Sequence, residues 1–496
     1  MHLHVASITV DLYRDGQHSA KGSGVQQIRA RVAGRHLAAD RWLQVLNPYD
    51  GSEVGRVPAC DPTHVDAACR AAFVALSRGD FPQHRRAQVL DAAAVLLAER
   101  GEEFARTVVL ESGKPVRDAR VEVHRSVDTL RSSAAAARTL AGDMVALPAS
   151  ARGQGRLGFA LRVPIGVVAA ITPFNFPLEL VTHKLGPAIA DGCPVVLKPS
   201  ERTPISAIRL VDLLVEAGLP HDWVSVVTGT GEDVGAALVA HPVPRLVSFT
   251  GSIGVGRAIE RAAVGKRVDL ELVSNAPVIV EPDADLTRVA EAIRTAGFSN
   301  AGQSCVCPQR VLVHESRHAD LVRALRDAVA TLVTGDPLEE ATHVGPLISP
   351  RETSRVAAWI GAAADEGAIV VTGGKVVGRL LHPTVIDQPP LHSDLYRKEI
   401  LGPVVTVTPY ADFTEAVRLA NDRDFGLQVG VFTSSVATTL RAVRELDFGG
   451  VLVNEAPTWQ VGQQPYGGAR GSGNTREGPS YAVQEMTELR FVMLSA

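Results

Sequence analysis

Between residues 165 and 273 short apolar runs alternate with amphipathic stretches, and this alternation restricts the fold of the chain more than any other feature. Gly166-Val-Val-Ala-Ala-Ile171, Pro194-Val-Val-Leu197 and residues 224–227, 245–249 and 267–272 read as strands, with helices over 178–190, 205–217, 233–239 and 255–263 between them. A helix between two strands returns the chain to the same end of the sheet, so the strands must lie parallel and be wound on both faces. Upstream, Ala- and Leu-rich helices over 64–142, broken at Gly101 and Gly113-Lys-Pro115, are expected to cover one sheet face. A second alternating series starts at Val278-Ile-Val280, runs through helix 286–297, strand 311–313 and helix 319–333, and reaches Val451-Leu-Val453, predicting a second α/β domain. The length of 496 residues demands such a division, because single cores stop growing at roughly 250–300 residues.

Two segments stand outside both series. Residues 147–163, with Gly153, Gly155 and Gly158, suggest a projecting hairpin, and 489–494 a last strand. Orphan strands of this kind predict an oligomer in which the hairpin of one chain meets the terminal strand of another. The net charge of −4, with Lys and Arg spread evenly, offers no basic stripe for nucleic acid and no polybasic arm for membranes. The longest uncharged run, 163–178, is shorter than the roughly 20 residues of a bilayer span and is interrupted by prolines. The first 25 residues carry charges without a continuous apolar centre, so no signal peptide is expected and a cytoplasmic protein is. Cys60, Cys69, Cys193, Cys305 and Cys307 form no disulfide framework, and Cys305-x-Cys307 lacks the second ligand pair of a zinc site, so no metal is expected.

Chemistry concentrates in four segments. Phe298-Ser-Asn-Ala-Gly-Gln-Ser-Cys-Val-Cys307 offers Cys305 as a nucleophile, although a lone cysteine is ordinarily a small inert hydrophobe. Thr172-Pro-Phe-Asn-Phe-Pro177 supplies an amide and Leu270-Glu-Leu-Val-Ser-Asn-Ala-Pro277 a carboxylate. Phe249-Thr-Gly-Ser-Ile-Gly-Val-Gly256 places glycines between a strand and a helix start, where backbone N–H groups can seat a pyrophosphate, though its spacing departs from G-x-G-x-x-G. Gly229-Thr-Gly-Glu-Asp-Val-Gly235 is a similar turn that reads mainly as structure. Lys198 and Glu201 fall at the carboxyl edge of the sheet, where either can bond a ribose hydroxyl; Glu201 would repel a 2′-phosphate, favouring NAD over NADP.

In this order, and over about residues 40–490, these segments resemble the aldehyde dehydrogenase superfamily. The resemblance implies a Rossmann-type parallel-sheet cofactor domain (26–146 and 164–274), a second α/β catalytic domain (275–480) and a small β oligomerisation element (147–163 and 481–496), behind an irregular tail over 1–25. It also implies NAD, an aldehyde substrate and a homodimer or homotetramer. Cys305 becomes the nucleophile, Glu271 the general base, Asn175 the oxyanion donor and Lys184 a supporting lysine. Expected cofactor contacts are Thr172, Pro173, Phe174, Lys198, Ser200, Glu201, Gly231, Phe249, Thr250, Gly251, Ser252, Val255, Leu272, Val273, Glu399 and Leu401. Arg125, Phe176, Ser304, Trp459 and Tyr466 are the expected substrate residues. The stretch 453–466, with Arg476-Glu-Gly478 beyond, is similar to the branch containing lactaldehyde and phosphonoacetaldehyde dehydrogenases, which implies a small hydroxylated or anionic aldehyde; on the helix over 116–140, Arg125 is the cation to examine, against a plainer reading as one of several solvated arginines.

Three positions depart from the family pattern: Val273 stands for a usual glycine, Leu401 for a typical phenylalanine and Asn275 for a common lysine, although Ser-Asn also occurs in the superfamily. Slow turnover or an unusual substrate is the expectation. Rival readings are acyl transfer to coenzyme A, which Glu271 opposes, an impaired cofactor-binding homologue, and a cysteine hydrolase using a distant histidine such as His183 or His314.

Overall fold

Strand Val167–Ile171 is buried along its whole length and forms the centre of a five-stranded parallel sheet. The sheet order is Arg267–Leu272, Pro244–Gly251, Val167–Ile171, Val195–Lys198, Val224–Val226, so the chain winds one way from the central strand and later the other. The carboxyl ends of Val167–Ile171 and Pro244–Gly251 therefore flank the point where winding reverses, which is where open α/β sheets bind ligands. These are the coordinates of a computed structural model, which describes residues 26–495; the tail expected over 1–25 lies outside the described residues.

Side chains alternate along the central strand and divide the core. Val168 and Ala170 pack with helices Gln83–Glu99, Val116–Thr139, Glu179–Asp191 and Ile205–Glu216. Val167, Ala169 and Ile171 pack instead with Val65, Ala68, Cys69 and Ala72 of helix Pro62–Arg78. The upstream helices thus cover both faces rather than the expected one. Gly79, in the left-handed region at φ 63°, ends helix Pro62–Arg78 and turns the chain toward the opposite side of the sheet.

Neither helix Ile205–Glu216 nor helix Glu179–Asp191 caps its own N-terminus with a side chain. Buried carboxylates from the helical layer do so: Glu111 accepts from Ile205 N–H (2.7 Å) and Ser206 N–H (3.0 Å), and Glu122 from Leu178 N–H (2.9 Å) and Glu179 N–H (3.1 Å). Lys114 neutralises Glu122 within the same buried layer.

A seven-stranded sheet follows, in the order Ile369–Thr372, Thr384–Asp387, Val404–Tyr410, Pro308–His314, Ala276–Val280, Gln428–Phe432, Gly450–Val453, with only the edge strand Ile369–Thr372 antiparallel. Residues 273–275 alone connect the two sheets, passing from Arg267–Leu272 into Ala276–Val280. Strand Thr487–Ser495 pairs antiparallel with Arg156–Pro164 of its own chain, and Asp143–Val145 flanks the latter. The expectation that the hairpin meets the terminal strand of another chain is corrected here. Met486 is anchored in the core and its carbonyl accepts from Ile165 N–H (3.0 Å), so the last strand starts beside Pro164 of the same chain. Among the described residues no helix is long and apolar enough to cross a membrane.

Candidate active site

Cys305 is delivered by an unusual turn. Asn300, Ala301 and Gly302 all hold left-handed φ, at 50°, 53° and 70°. Such conformations strain residues with a Cβ and persist only when their surroundings hold them. Asp118 accepts from Asn300 N–H (2.8 Å), and the Asn300 amide donates to Asn175 O (3.0 Å) and Gln303 O (3.3 Å). Gly302 is required outright, since a Cβ there would meet Gly402 O at 2.1 Å. The thiol ends 3.2 Å from the Tyr466 hydroxyl, and no backbone carbonyl among the described residues accepts the Cys305 N–H.

Asn175, at the end of the central strand, is buried and donates one amide hydrogen to Gln303 O (2.9 Å). Its second hydrogen remains for another acceptor. Glu271 stands at the end of edge strand Arg267–Leu272, 1% exposed, with neither carboxylate oxygen hydrogen-bonded to a side chain. The segment around Gly473 seals that edge: Leu272 N–H donates to Ser472 O (2.9 Å) and Asn474 N–H to Leu270 O (3.0 Å). Gly473, at φ 131°, allows the approach, because a Cβ would lie 2.1 Å from Leu270 O. Burial, reinforced by the nearby Glu477 charge, pushes the Glu271 carboxyl well above the ordinary range. Burial and the Glu271 charge likewise raise the Cys305 thiol.

The counter-charge goes elsewhere. Lys184 donates to Glu477 (3.2 Å) and Ser248 Oγ (3.0 Å). Burial opposes ionisation of Glu477, but Lys184 and His183 outweigh it and hold the carboxylate at about 2. His183 sits 3.6 Å from both Glu179 and Glu477, beyond hydrogen-bond reach but within ion-pair distance. Burial disfavours its charge, yet the two carboxylates raise it to about 9. Arg125 continues the row, 2.8 Å from Glu179 and bonded to Gln460. Sequence reasoning missed Glu179 and Glu477. Glu179 and His183 share a helix face at i, i+4, a legible signal, whereas nothing local marks Glu477.

A cavity of about 420 Å³ reaches Cys305 and is lined also by Ser304, Phe176, Tyr466 and Arg125. Trp459 is the correction: it is 51% exposed and outside this lining, which its neighbours Thr458 and Gln460 join instead. His183 lines the cavity too, but its ring nitrogens face Glu179 and Glu477 rather than Cys305.

Residues 36–492 match the model of the aldehyde dehydrogenase family. The chain belongs to that family. It is similar to the 3-sulfolactaldehyde dehydrogenase of Priestia aryabhattai, 40% identical over 471 residues that cover 95% of this chain and 98% of that protein. The lactaldehyde dehydrogenase of Methanococcus maripaludis is 34% identical over 458 residues, 91% of this chain and 97% of that one. Among solved structures, aldehyde dehydrogenase 21 of Physcomitrella patens, in complex with the reaction product succinate, superposes with a TM-score of 0.92 at 36% identity, covering 95% of this chain and 99% of that chain. This aldehyde dehydrogenase is therefore an oxidoreductase acting on aldehydes, a chemistry that draws on a nicotinamide dinucleotide.

The residues present fit that group. Ser252 caps helix Ile253–Ala262, Gly254 leaves open space over its first turn, and Thr172 Oγ1 is buried without a partner at the end of the central strand. Lys198, buried, bonds Pro199 O (3.2 Å) and Glu201 (3.4 Å) at the same sheet edge. Pro173 and Phe174 are half-buried beside them, with Thr250 and Gly251 ending the neighbouring strand. The exposed Val255 lies in the first turn of the helix, and the exposed Gly231 lies in the turn after edge strand Val224–Val226. Ser200 Oγ is turned toward Arg202 N–H (3.2 Å). The side chains of Phe249 and Leu272 face the core, filling the space beneath Gly251 and Gly256, so only their backbones reach the edge. On the other side of the cleft Glu399 accepts from Ser274 N–H (3.4 Å) and burial raises it to about 8. Val273 is half-buried with its carbonyl tied to Ser472 Oγ (2.9 Å), and Leu401 holds φ 49°.

Because the Cys305 thiol is raised, its thiolate fraction is small at neutral pH and grows with pH. Alkylation of the free enzyme by iodoacetamide is expected to accelerate steadily up to about pH 9 without levelling off. A plateau near neutrality, followed by mass spectrometry of the Cys305 peptide, would contradict this environment.

Proposed function

We propose that the chain oxidises a small hydroxylated or anionic aldehyde to its carboxylate, with NAD, through a Cys305 thioester. The observation that carries this reading is the convergence of a raised thiol, an amide with a free hydrogen, and a buried carboxylate that no side chain hydrogen-bonds. Cys305 Sγ releases its proton to solvent and bonds to the aldehyde carbon, so the Glu271 carboxylate remains free to act as base in the later hydrolysis. The oxygen that becomes negative is held by the Cys305 N–H and the second Asn175 hydrogen, each donor contributing about 3 kcal/mol. When bound, the nicotinamide supplies the two-electron acceptor for this oxidation. Glu271 then takes a proton from water, the water oxygen attacks the thioester, and Sγ leaves with its bonding pair and regains a proton as the carboxylate departs. A base buried without a competing side-chain partner favours water over a thiol such as coenzyme A as the acyl acceptor. Retention of the thiol, the amide and the carboxylate together also argues against an impaired homologue.

In this reading residues 26–146 and 164–274 bind the dinucleotide, 275–480 carry the chemistry, and 147–163 with 481–496 serve assembly. Glu201, 47% exposed at the sheet edge, supports NAD over NADP by charge repulsion, which the ratio of kcat/KM for the two cofactors tests. The five cysteines, all unpaired, support a cytoplasmic location, to be checked by cell fractionation. Leu157, Leu161, Leu489, Phe491 and Leu494, each about half exposed on the three-stranded sheet, support a homodimer or homotetramer; light scattering of Phe491→Glu should show smaller particles than the parent, and a monomeric parent would remove the proposal.

Glu271→Gln should release about one equivalent of NADH per active site and then stall, with steady-state turnover down about 10²-fold or more. Unchanged steady-state turnover would end the role of Glu271. Arg125 lines the cavity with its charge only part-neutralised by Glu179. Arg125→Ala is expected to raise KM for 3-sulfolactaldehyde about tenfold while altering that for lactaldehyde little; equal effects on both would remove Arg125 from anion recognition.

A further inference from the structure

Asn275 replaces the lysine common at its position, and the structure gives it a task. Its side-chain Nδ2 donates to Tyr396 O at 3.1 Å and to Lys398 O at 2.9 Å. Two carbonyl partners fix the orientation of the amide, since only the nitrogen end can donate. Both carbonyls belong to the exit of the short helix Asp394–Arg397, where C-terminal carbonyls otherwise lack partners. The next residue is Glu399, whose carboxylate accepts from the N–H of Ser274, the neighbour of Asn275. One dipeptide therefore grips the Glu399 backbone from one side and its side chain from the other.

Asn275 is itself immobilised. Its carbonyl accepts twice from the fully buried Arg310 guanidinium, at 3.3 and 3.2 Å. Beyond Glu399, Ile400 N–H is held by Gln309 Oε1 (3.2 Å) and Ile400 O by Arg355 (2.7 Å). The segment around Glu399 thus has anchors on both flanks, and Asn275 supplies side-chain donors to the two carbonyls on the amino-terminal one.

We propose that Asn275 is a positioning residue for the dinucleotide, acting through Glu399 by clamping the Tyr396 and Lys398 carbonyls. The proposal rests on the proposed dinucleotide-dependent oxidation and on the cofactor contact that the family resemblance implies for Glu399. Asn275→Leu keeps the volume and removes both donors, while Asn275→Lys restores a donor with reach. The experiment is NADH binding by fluorescence titration for Asn275→Leu, Asn275→Lys, Glu399→Gln and the Asn275→Leu/Glu399→Gln double variant, with melting temperature recorded alongside. Asn275→Leu should weaken NADH about tenfold, Asn275→Lys should recover most of that, and the double variant should bind no worse than Glu399→Gln alone. If Asn275→Leu lowers the melting temperature but binds NADH as the parent does, the residue is structural only and the proposal falls. Full additivity with Glu399→Gln would also overturn it, because Asn275 would then act by another route. If Glu399→Gln itself leaves NADH affinity unchanged while the parent binds, the cofactor role of Glu399 fails first, an outcome separable from the other two. Should Asn275→Leu not fold, the lysine and serine variants at 275 carry the same comparison, the short serine hydroxyl being unable to bridge both carbonyls and therefore expected to weaken NADH.

Discussion

Two buried carboxylates, Glu271 and Glu477, lie within the field of one ammonium, Lys184, and the outcome of that competition sets the chemistry of the cleft. Glu477 holds the hydrogen bond to Lys184 and has His183 beside it, so it stays ionised. Glu271 receives only the longer-range part of the same charge and is pushed upward. Environments that drive neighbouring acids apart allow one to serve as fixed charge and the other to gain and lose protons. Were Lys184 to turn toward Glu271, that carboxylate would be stabilised in its ionised form and become a weaker base.

The parts of the site legible in the sequence are those whose signal is local. Cys305, Asn175 and Glu271 each sit within a few residues of a strand end, and the order of their segments carried the family resemblance. Glu477 was not legible, because its partner Lys184 is 293 positions away and the ion pair exists only once the carboxyl-end segment crosses the edge of the first sheet. Trp459 misled for a related reason: the loop composition resembled a substrate-binding stretch, but which of three successive side chains faces inward depends on backbone direction.

The fold shows the same division. Alternating periodicity was enough for two parallel sheets, since apolar strands separated by helices admit few other arrangements. Pattern could not say which face a helix covers, and Pro62–Arg78 crosses to the far side through the turn at Gly79. It also could not tell pairing within the chain from pairing between chains; that depended on Met486 anchoring the start of the last strand. Asn275 is held by two well-formed hydrogen bonds, whereas Val273 and Leu401 keep a branched side chain and a left-handed backbone beside the cleft.

The seal over Arg267–Leu272 has a further consequence. That strand is the rim of the first sheet, and an uncovered rim presents a row of free amides and carbonyls on which a foreign chain can nucleate. Residues 472–474 occupy those groups from within the same molecule. The bonds that close the strand beside Glu271 thereby leave fewer free groups on that rim for a foreign chain to pair with.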